Sequence, residues 1–468
     1  MADSSGLHFS VAQLGRLLRA RRVSSVELTK RSLEALETRG RALNSVAELT
    51  SDLALQQAKQ ADREIRDGRL RGPLHGIPYG AKDVFATNGI PTRWGSPAHR
   101  DQVFDHDATI VERLREMGAV LVAKLAMIEL AGAGGFDTPA ASLDGPCRNP
   151  YDTTRWAGGS SSGCGVAVGD GLVGFAIGTD AMGSITMPSA FCNVCGLVPT
   201  HGRVPRYGTM AVSSTMDRIG PMARSAEDCG LILAAITGHD PRDPCSTQGR
   251  FRFYPRAWTR RRFRLGLLPT HYRANNAAAA KKRLAAALDV FHRLGHTSGQ
   301  VKLPDFPYMP AAFTIMNVEA AAAFEDLIRS RRLHELTDKS QQAGLLSGLA
   351  VAGVDYLRAM RIRSMAAPAA VRIFEQFDAL IAPTFLHGAP LADRPLGEGW
   401  VGMGGNEGPG NLLGWPTLSI PIGQDENGLP LGMELIGAPY GEMTLLALAM
   451  AFQRETDWHR QRPPAQPA

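Results

Sequence analysis

Glycine crowds two parts of this chain, from Gly132 to Gly208 and again from Gly397 to Gly414. A residue without a Cβ is needed where the backbone turns into left-handed geometry or passes close to another group. The fold must therefore contain two tracts of tightly turned, closely packed main chain. The total of 50 Gly in 468 residues exceeds the roughly 33 that ordinary usage of about 7% would give. The first tract is the better place to look for a site, because its glycines are interleaved with serines and threonines.

Composition narrows the remaining options. With 44% hydrophobic residues and a net charge of only +6, the chain can bury a large core and does not read as disordered. No run of 18 apolar residues lacks a charge, and the most apolar stretch, 166–177, is interrupted by Asp170, so no membrane span is expected. Residues 1–8 lack the basic and apolar regions of a secretory leader, which makes the cytoplasm the expected location. Six cysteines (147, 164, 192, 195, 229 and 245) are too few to staple a chain this long. Cys192-x-x-Cys195 has no second pair and no histidine at zinc spacing, so buried thiols are expected and no metal.

Periodicity gives the organisation. Ser10 with Gln13 and Ser24 with Glu27 fit capping boxes, and Val11, Leu14, Leu17 and Leu18 share one helical face. Residues 1–65 thus read as a helical lead-in packing on a body at 66–460, followed by a loose tail at 461–468. In the body, a helix over 108–117 stops at Gly118 before a buried strand at 119–123. A strand at 264–268, a helix at 277–294 and a short apolar strand at 379–382 repeat the pattern. Residues 311–329 and 344–375 read as helical, and 418–420 with 432–436 as strands joined through a turn at Asn427-Gly428. Alternation of this kind over the whole length predicts one α/β layered domain.

Five local patterns could carry chemistry. Gly159-Ser160-Ser161-Ser162-Gly163 satisfies G-x-S-x-G around Ser161, but the polar, turn-rich 149–156 precedes it instead of the strand that a nucleophile elbow needs. Seven arginines interleaved with aromatics over 250–264 could contact single-stranded nucleic acid, yet the rest of the chain is not basic enough, and a solvated connection is the preferred reading. Lys82, one of only eight lysines, lies among glycine and apolar residues in 76–85. Burial there would lower its pKa and let it act as a neutral base, although pairing with Asp83 is the structural alternative. Gly178-Thr179-Asp180-Ala181-Met182-Gly183-Ser184 could expose a serine hydroxyl beside the N–H groups of 181–184, a donor nest suited to an oxyanion. The 402–414 loop is too irregular for a phosphate-binding fingerprint and reads as a wall or lid.

Together these motifs resemble the amidase signature family. The resemblance runs through Gly76-Ile77-Pro78 to Lys82-Asp83, Gly158-Gly159-Ser160-Ser161, Gly178-Thr179-Asp180 to Ser184, and Ala190-Phe191-Cys192 to Gly196-Leu197. It continues through Met216-Asp217-Arg218-Ile219-Gly220-Pro221, Asp378 to Thr384, and Gly428-Leu429-Pro430 to Gly437, covering about residues 8–465. It implies an α/β fold with a large central mixed β-sheet surrounded by helices, in one domain. It also implies a Ser-Ser-Lys triad with Ser184 as nucleophile, Ser160 as bridging serine after a cis peptide bond, and Lys82 as base. The oxyanion hole would be the backbone N–H groups of Ala181, Met182, Gly183 and Ser184, and no cofactor or metal is implied.

Two departures bear on the substrate. Met182 stands where the family often has glycine, and Thr186 where it often has arginine. Without a cation just beyond the nucleophile, the expected substrate is a neutral, partly apolar small molecule: an aryl or alkyl amide or anilide, or a carbamate (urethane) or ester. Phe136, Met182, Met210, Leu413 and Trp415 are the expected pocket walls. The expected partners are that substrate alone, without nucleic acid or membrane, in a monomer or homodimer. The alternative is an ammonia-releasing glutaminase that serves as one component of a tRNA-dependent amidotransferase complex.

Overall fold

The computed structural model describes residues 7–256, 261–269, 277–397 and 409–464. Both predicted capping boxes form, starting helices at Val11–Arg19 and Ser25–Ala35. The lead-in is not wholly helical, however. Residues Val46–Leu49 form a strand, β1, and the helix that follows, Ser51–Arg66, runs past residue 65. The strand's short, half-buried pattern is hidden between two longer helical ones.

Ten further strands follow: β2 (Pro78–Lys82), β3 (Val120–Leu125), β4 (Phe175–Asp180), β5 (Cys195–Val198), β6 (Arg218–Ala223), β7 (Arg264–Leu267), β8 (Thr297–Gln300), β9 (Ala379–Pro383), β10 (Thr417–Gln424) and β11 (Pro430–Ile436). Among the described residues all eleven form one sheet, in the order β1-β3-β2-β4-β6-β5-β10-β11-β9-β7-β8. Its two wings contain parallel pairs, β3-β2-β4 and β9-β7-β8, and the ribbon between them, from β4 to β9, is antiparallel. Each parallel wing contains the crossover that the sequence pattern announces. β2 reaches β3 through the helix Thr109–Glu116, and β7 reaches β8 through Ala278–Arg293. β2, β3, β6, β9 and β11 are buried along their whole length, as strands covered on both faces must be. This is the mixed sheet in a shell of helices that the sequence implies, in a single domain.

The long helical patterns are each interrupted. Residues 311–329 divide into Tyr308–Ala323 and Glu325–Arg329, and 344–375 into Lys339–Ala350, Gly353–Val371 and a terminal 3₁₀ turn. The predicted hairpin is present, longer than expected, with β10 and β11 in antiparallel register. Among the described residues no helix is long and apolar enough to cross a membrane.

Within the sheet, main chain approaches main chain closely at Gly220, where β6 runs beside β5. A Cβ there would collide with the Leu197 carbonyl oxygen, which belongs to the sheet and cannot swing aside. Gly220→Ala is expected to cost about 1–3 kcal/mol or more through overpacking, read as a lower denaturant midpoint with an unchanged slope.

Candidate active site

The site grows from the sheet register. β2 and β4 run parallel with Ala81 opposite Ile177, which brings Lys82, at the end of β2, alongside Thr179 near the end of β4. Both strands end on the same edge, where ligands of parallel sheets usually bind. The glycine-rich tract covers that edge. The segment 158–161 leads into the fully buried helix Ser162–Gly169, and Gly158 adopts φ +84°, a left-handed geometry that glycine tolerates. The Gly159–Ser160 peptide is cis.

The Lys82 side chain is completely buried. Its Nζ donates to Ser160 Oγ at 2.7 Å and to Thr179 Oγ1 at 2.9 Å. Burial lowers its pKa to about 8, against smaller opposing contributions from Cys164, Asp180 and Asp217. The alternative pairing with Asp83 does not occur, because Asp83 lies 3.2 Å from the other buried lysine, Lys124. Ser160 and Ser184 line one cavity of about 210 Å³. Their backbones are tied together, since the Ser161 N–H donates to the Ser184 carbonyl at 3.1 Å. Ser161 itself is buried, with its hydroxyl donating to the Thr179 carbonyl at 3.2 Å, and it does not line the cavity.

The turn carrying Ser184 corrects one expectation. Asp180, closing β4, accepts the Gly183 N–H on Oδ1 at 2.9 Å and the Ile185 N–H on Oδ2 at 2.7 Å. Gly183 is therefore not an available oxyanion donor. Among the described residues, Ala181, Met182 and Ser184 carry backbone N–H groups with no internal acceptor, which leaves a nest of three rather than four.

The expected pocket residues divide. Phe136 and Met182 line the Ser184 cavity together with Met187, Phe313 and Met316. Met210 lines an adjoining hollow instead. Leu413 and Trp415 line neither. Trp415 is buried with Ile436 and Leu380, its ring edge-on to Phe374 at 4.9 Å, and Leu413 packs against the same core. Both follow the short buried helix Pro409–Leu412, so this end of the second glycine tract is interior packing and not a lid; residues 402–408 lie outside the described residues. Thr186 is also buried, hydrogen-bonded to Glu434 of β11 and lining neither cavity. Its lack of charge therefore says little about the substrate. Of the 250–264 stretch, 257–260 lie outside the described residues, while Arg261 and Arg264 pair with Asp378 at 3.0 and 3.6 Å.

Two residues beside the cavity carry no separate signal in the sequence. Thr179 is the second acceptor for Lys82, visible only once β2 and β4 are in register. Asp217 lines the cavity with a carboxyl whose pKa burial raises to about 6, against the Val212 and Ser213 N–H groups that it accepts.

The chain matches the Amidase family over residues 27–446. It is 36% identical to one of the subunits of the glutamyl-tRNA(Gln) amidotransferase of Methylococcus capsulatus, covering 97% of this chain and 98% of that one. Among solved structures it superposes on the peptide amidase of Stenotrophomonas maltophilia with a TM-score of 0.84 and 33% identity, over 97% and 98% of the two chains. A chain from a vestigial protein complex bearing on the origins of an s-triazine catabolic enzyme gives 0.87 and 30%, over 96% and 98%. Family match, near-complete coverage and shared architecture together make this chain a member of the amidase family, the amidase signature enzymes.

Proposed function

We propose that the protein is an amidohydrolase that cleaves C–N bonds of neutral, partly apolar amides through an acyl-enzyme on Ser184. The observation that carries this reading is the buried Lys82 side-chain nitrogen, 2.7 Å from Ser160 Oγ, beside a cavity that Ser184 also lines. A hydroxyl is a weak nucleophile until a positioned base accepts its proton. As Ser184 Oγ bonds to the substrate carbonyl carbon, its proton passes to Ser160, and the Ser160 proton passes to neutral Lys82. The carbonyl oxygen takes the negative charge and is met by the N–H groups of Ala181, Met182 and Ser184. The proton on Lys82 returns through Ser160 to the leaving nitrogen as the C–N bond breaks. Water then repeats the sequence on the acyl-enzyme, releasing the acid and restoring Ser184.

The apolar walls, with Phe136, Met182, Met187, Phe313 and Met316, support an aryl or alkyl amide or anilide, and carbamates and esters present the same carbonyl. We place the enzyme in the cytoplasm as a monomer or homodimer.

A second reading has its own support. The amidotransferase chain of Methylococcus capsulatus matches nearly the whole of this one, and an ammonia-releasing member of such a complex would use the same hydroxyl relay. Assay of the purified chain by itself separates the two. Turnover of an apolar p-nitroanilide without partners supports the hydrolase, whereas glutamine turnover that requires added partner chains supports the amidotransferase.

Ser184→Ala and Lys82→Ala are each expected to lower kcat on such a substrate by about a thousandfold or more, and Ser161→Ala by far less. Near wild-type turnover by Ser184→Ala would exclude this mechanism. The pH profile supplies a further check. Because the relay needs Lys82 neutral, kcat/KM is expected to rise about tenfold per pH unit at low pH and to level off above about pH 8. In Lys82→Ala, whatever activity remains should lose that limb.

A further inference from the structure

The catalytic cavity has a neighbour. Past Thr179 lies a second hollow of about 200 Å³, bounded by Arg206, Tyr207, Thr209 and Met210. Thr179, Val212 and Asp217 line both hollows, so the two adjoin at a waist made by these residues. The lobes differ in chemistry. The one with Ser184 is walled by methionine and phenylalanine, whereas the second brings in Arg206, Arg242 and Asp243.

The charges of the second lobe are largely satisfied from within. Arg242 is braced on Glu112 at 2.6 Å and Asp240 at 2.8 Å. Arg206 donates through Nη1 to the Ser214 and Asp217 carbonyls, and its Nε stands 3.8 Å from Asp243. Asp217 differs from both. Its Oδ2 accepts the N–H groups of Val212 at 2.7 Å and Ser213 at 2.9 Å, but among the described residues no hydrogen bond reaches Oδ1. The waist thus holds a fixed carboxylate with one oxygen unused, and an acceptor shut away from water by a bound substrate is costly to leave unpaired.

The relay sets which end of a substrate meets it. Lys82 donates to both Ser160 and Thr179, so the waist lies on the side from which the leaving nitrogen receives its proton. A substituent on that nitrogen would run past Thr179 toward Asp217, with the acyl group among the apolar walls.

We propose that the second lobe is the leaving-amine subsite and that Asp217 is its specificity-determining residue, favouring amides whose leaving amine carries a second, hydrogen-bond-donating nitrogen. This rests on the amide-hydrolase reading above and modifies it at one point: the acyl side stays neutral and apolar, while the far end of the leaving amine carries a cationic donor. A suitable pair is the hexanoyl anilides of 4-(aminomethyl)aniline and 4-methylaniline, which differ at the far end of the leaving group. The wild-type enzyme is expected to favour the aminomethyl compound by about tenfold or more in kcat/KM, the ratio that one good charge-assisted contact supplies. In Asp217→Asn, which keeps an oxygen for the Val212 and Ser213 N–H groups, that ratio should fall to about one. Should the variant not fold, the unaltered enzyme still gives a reading. 4-(Aminomethyl)aniline should inhibit competitively about tenfold more tightly than 4-methylaniline. Ser184-dependent hydrolysis of both anilides without a preference, a preference unchanged in Asp217→Asn, or equal inhibition by the two amines would overturn this inference alone. Hydrolysis of neither anilide, or hydrolysis undiminished in Ser184→Ala, would overturn the amide-hydrolase reading together with it.

Discussion

The whole site depends on burying one lysine without giving it a carboxylate in contact. Lys82 ends a strand buried on both faces, and its partners are two hydroxyls, Ser160 and Thr179. Moving an ammonium out of water disfavours the charged form, and hydroxyl partners compensate only in part. A pKa of about 8 leaves roughly a tenth of the side chain neutral at pH 7, against about one part in three thousand for an ordinary lysine. That fraction is what makes a lysine usable as a base near neutrality.

Lys124 shows what the same residue does in the other setting. It is equally buried, one strand away, but it faces Asp83 at 3.2 Å and donates to Thr92. An ion pair of this kind fixes local structure, because removing either partner would strand a buried charge. In the sequence, Asp83 is as available to Lys82, its neighbour in the chain, as to Lys124. Consecutive residues at a strand end point to opposite faces, so Lys82 and Asp83 diverge: one turns toward the serines and the other toward β3 and its lysine. The division of labour between two buried lysines is therefore a consequence of strand alternation.

This contrast also explains how far the sequence can be read. Lys82, Ser160 and Ser184 lie in motifs whose order and residue types are visible, and the mixed sheet follows from alternating helix and strand patterns. Long-range register is not visible. Thr179 meets Lys82 because β2 and β4 align, and Asp217 faces the cavity because its loop is held by its own Val212 and Ser213 N–H groups. Leu413 and Trp415 suit a pocket wall as well as a core, being large and apolar, and no local pattern tells the two settings apart. β1 escapes notice for a related reason: four residues give too short a period to stand out between helices of nine to sixteen residues.

The two glycine tracts, far apart in the chain, are joined by a buried guanidinium as well as by direct hydrogen bonds from Gly397 to Asp137 and from His201 to Gly414. Arg218, wholly buried at the start of β6, donates to the Trp415 carbonyl at 2.8 Å and to Asn411 Oδ1 at 2.6 Å, both from the end of the second tract. Its other neighbour is Asp180, 3.7 Å away, whose two oxygens hold the Gly183 and Ile185 N–H groups on either side of Ser184. A carboxylate that accepts two backbone donors and faces an arginine is held in place, so the turn it holds has little freedom. Gly183, at φ +98°, lets the chain bend tightly enough for both bonds to form. The second tract thus acts on the turn that carries Ser184 at one remove. It packs around Arg218, which helps fix Asp180 and hence the orientation of the three N–H groups left free at the cavity.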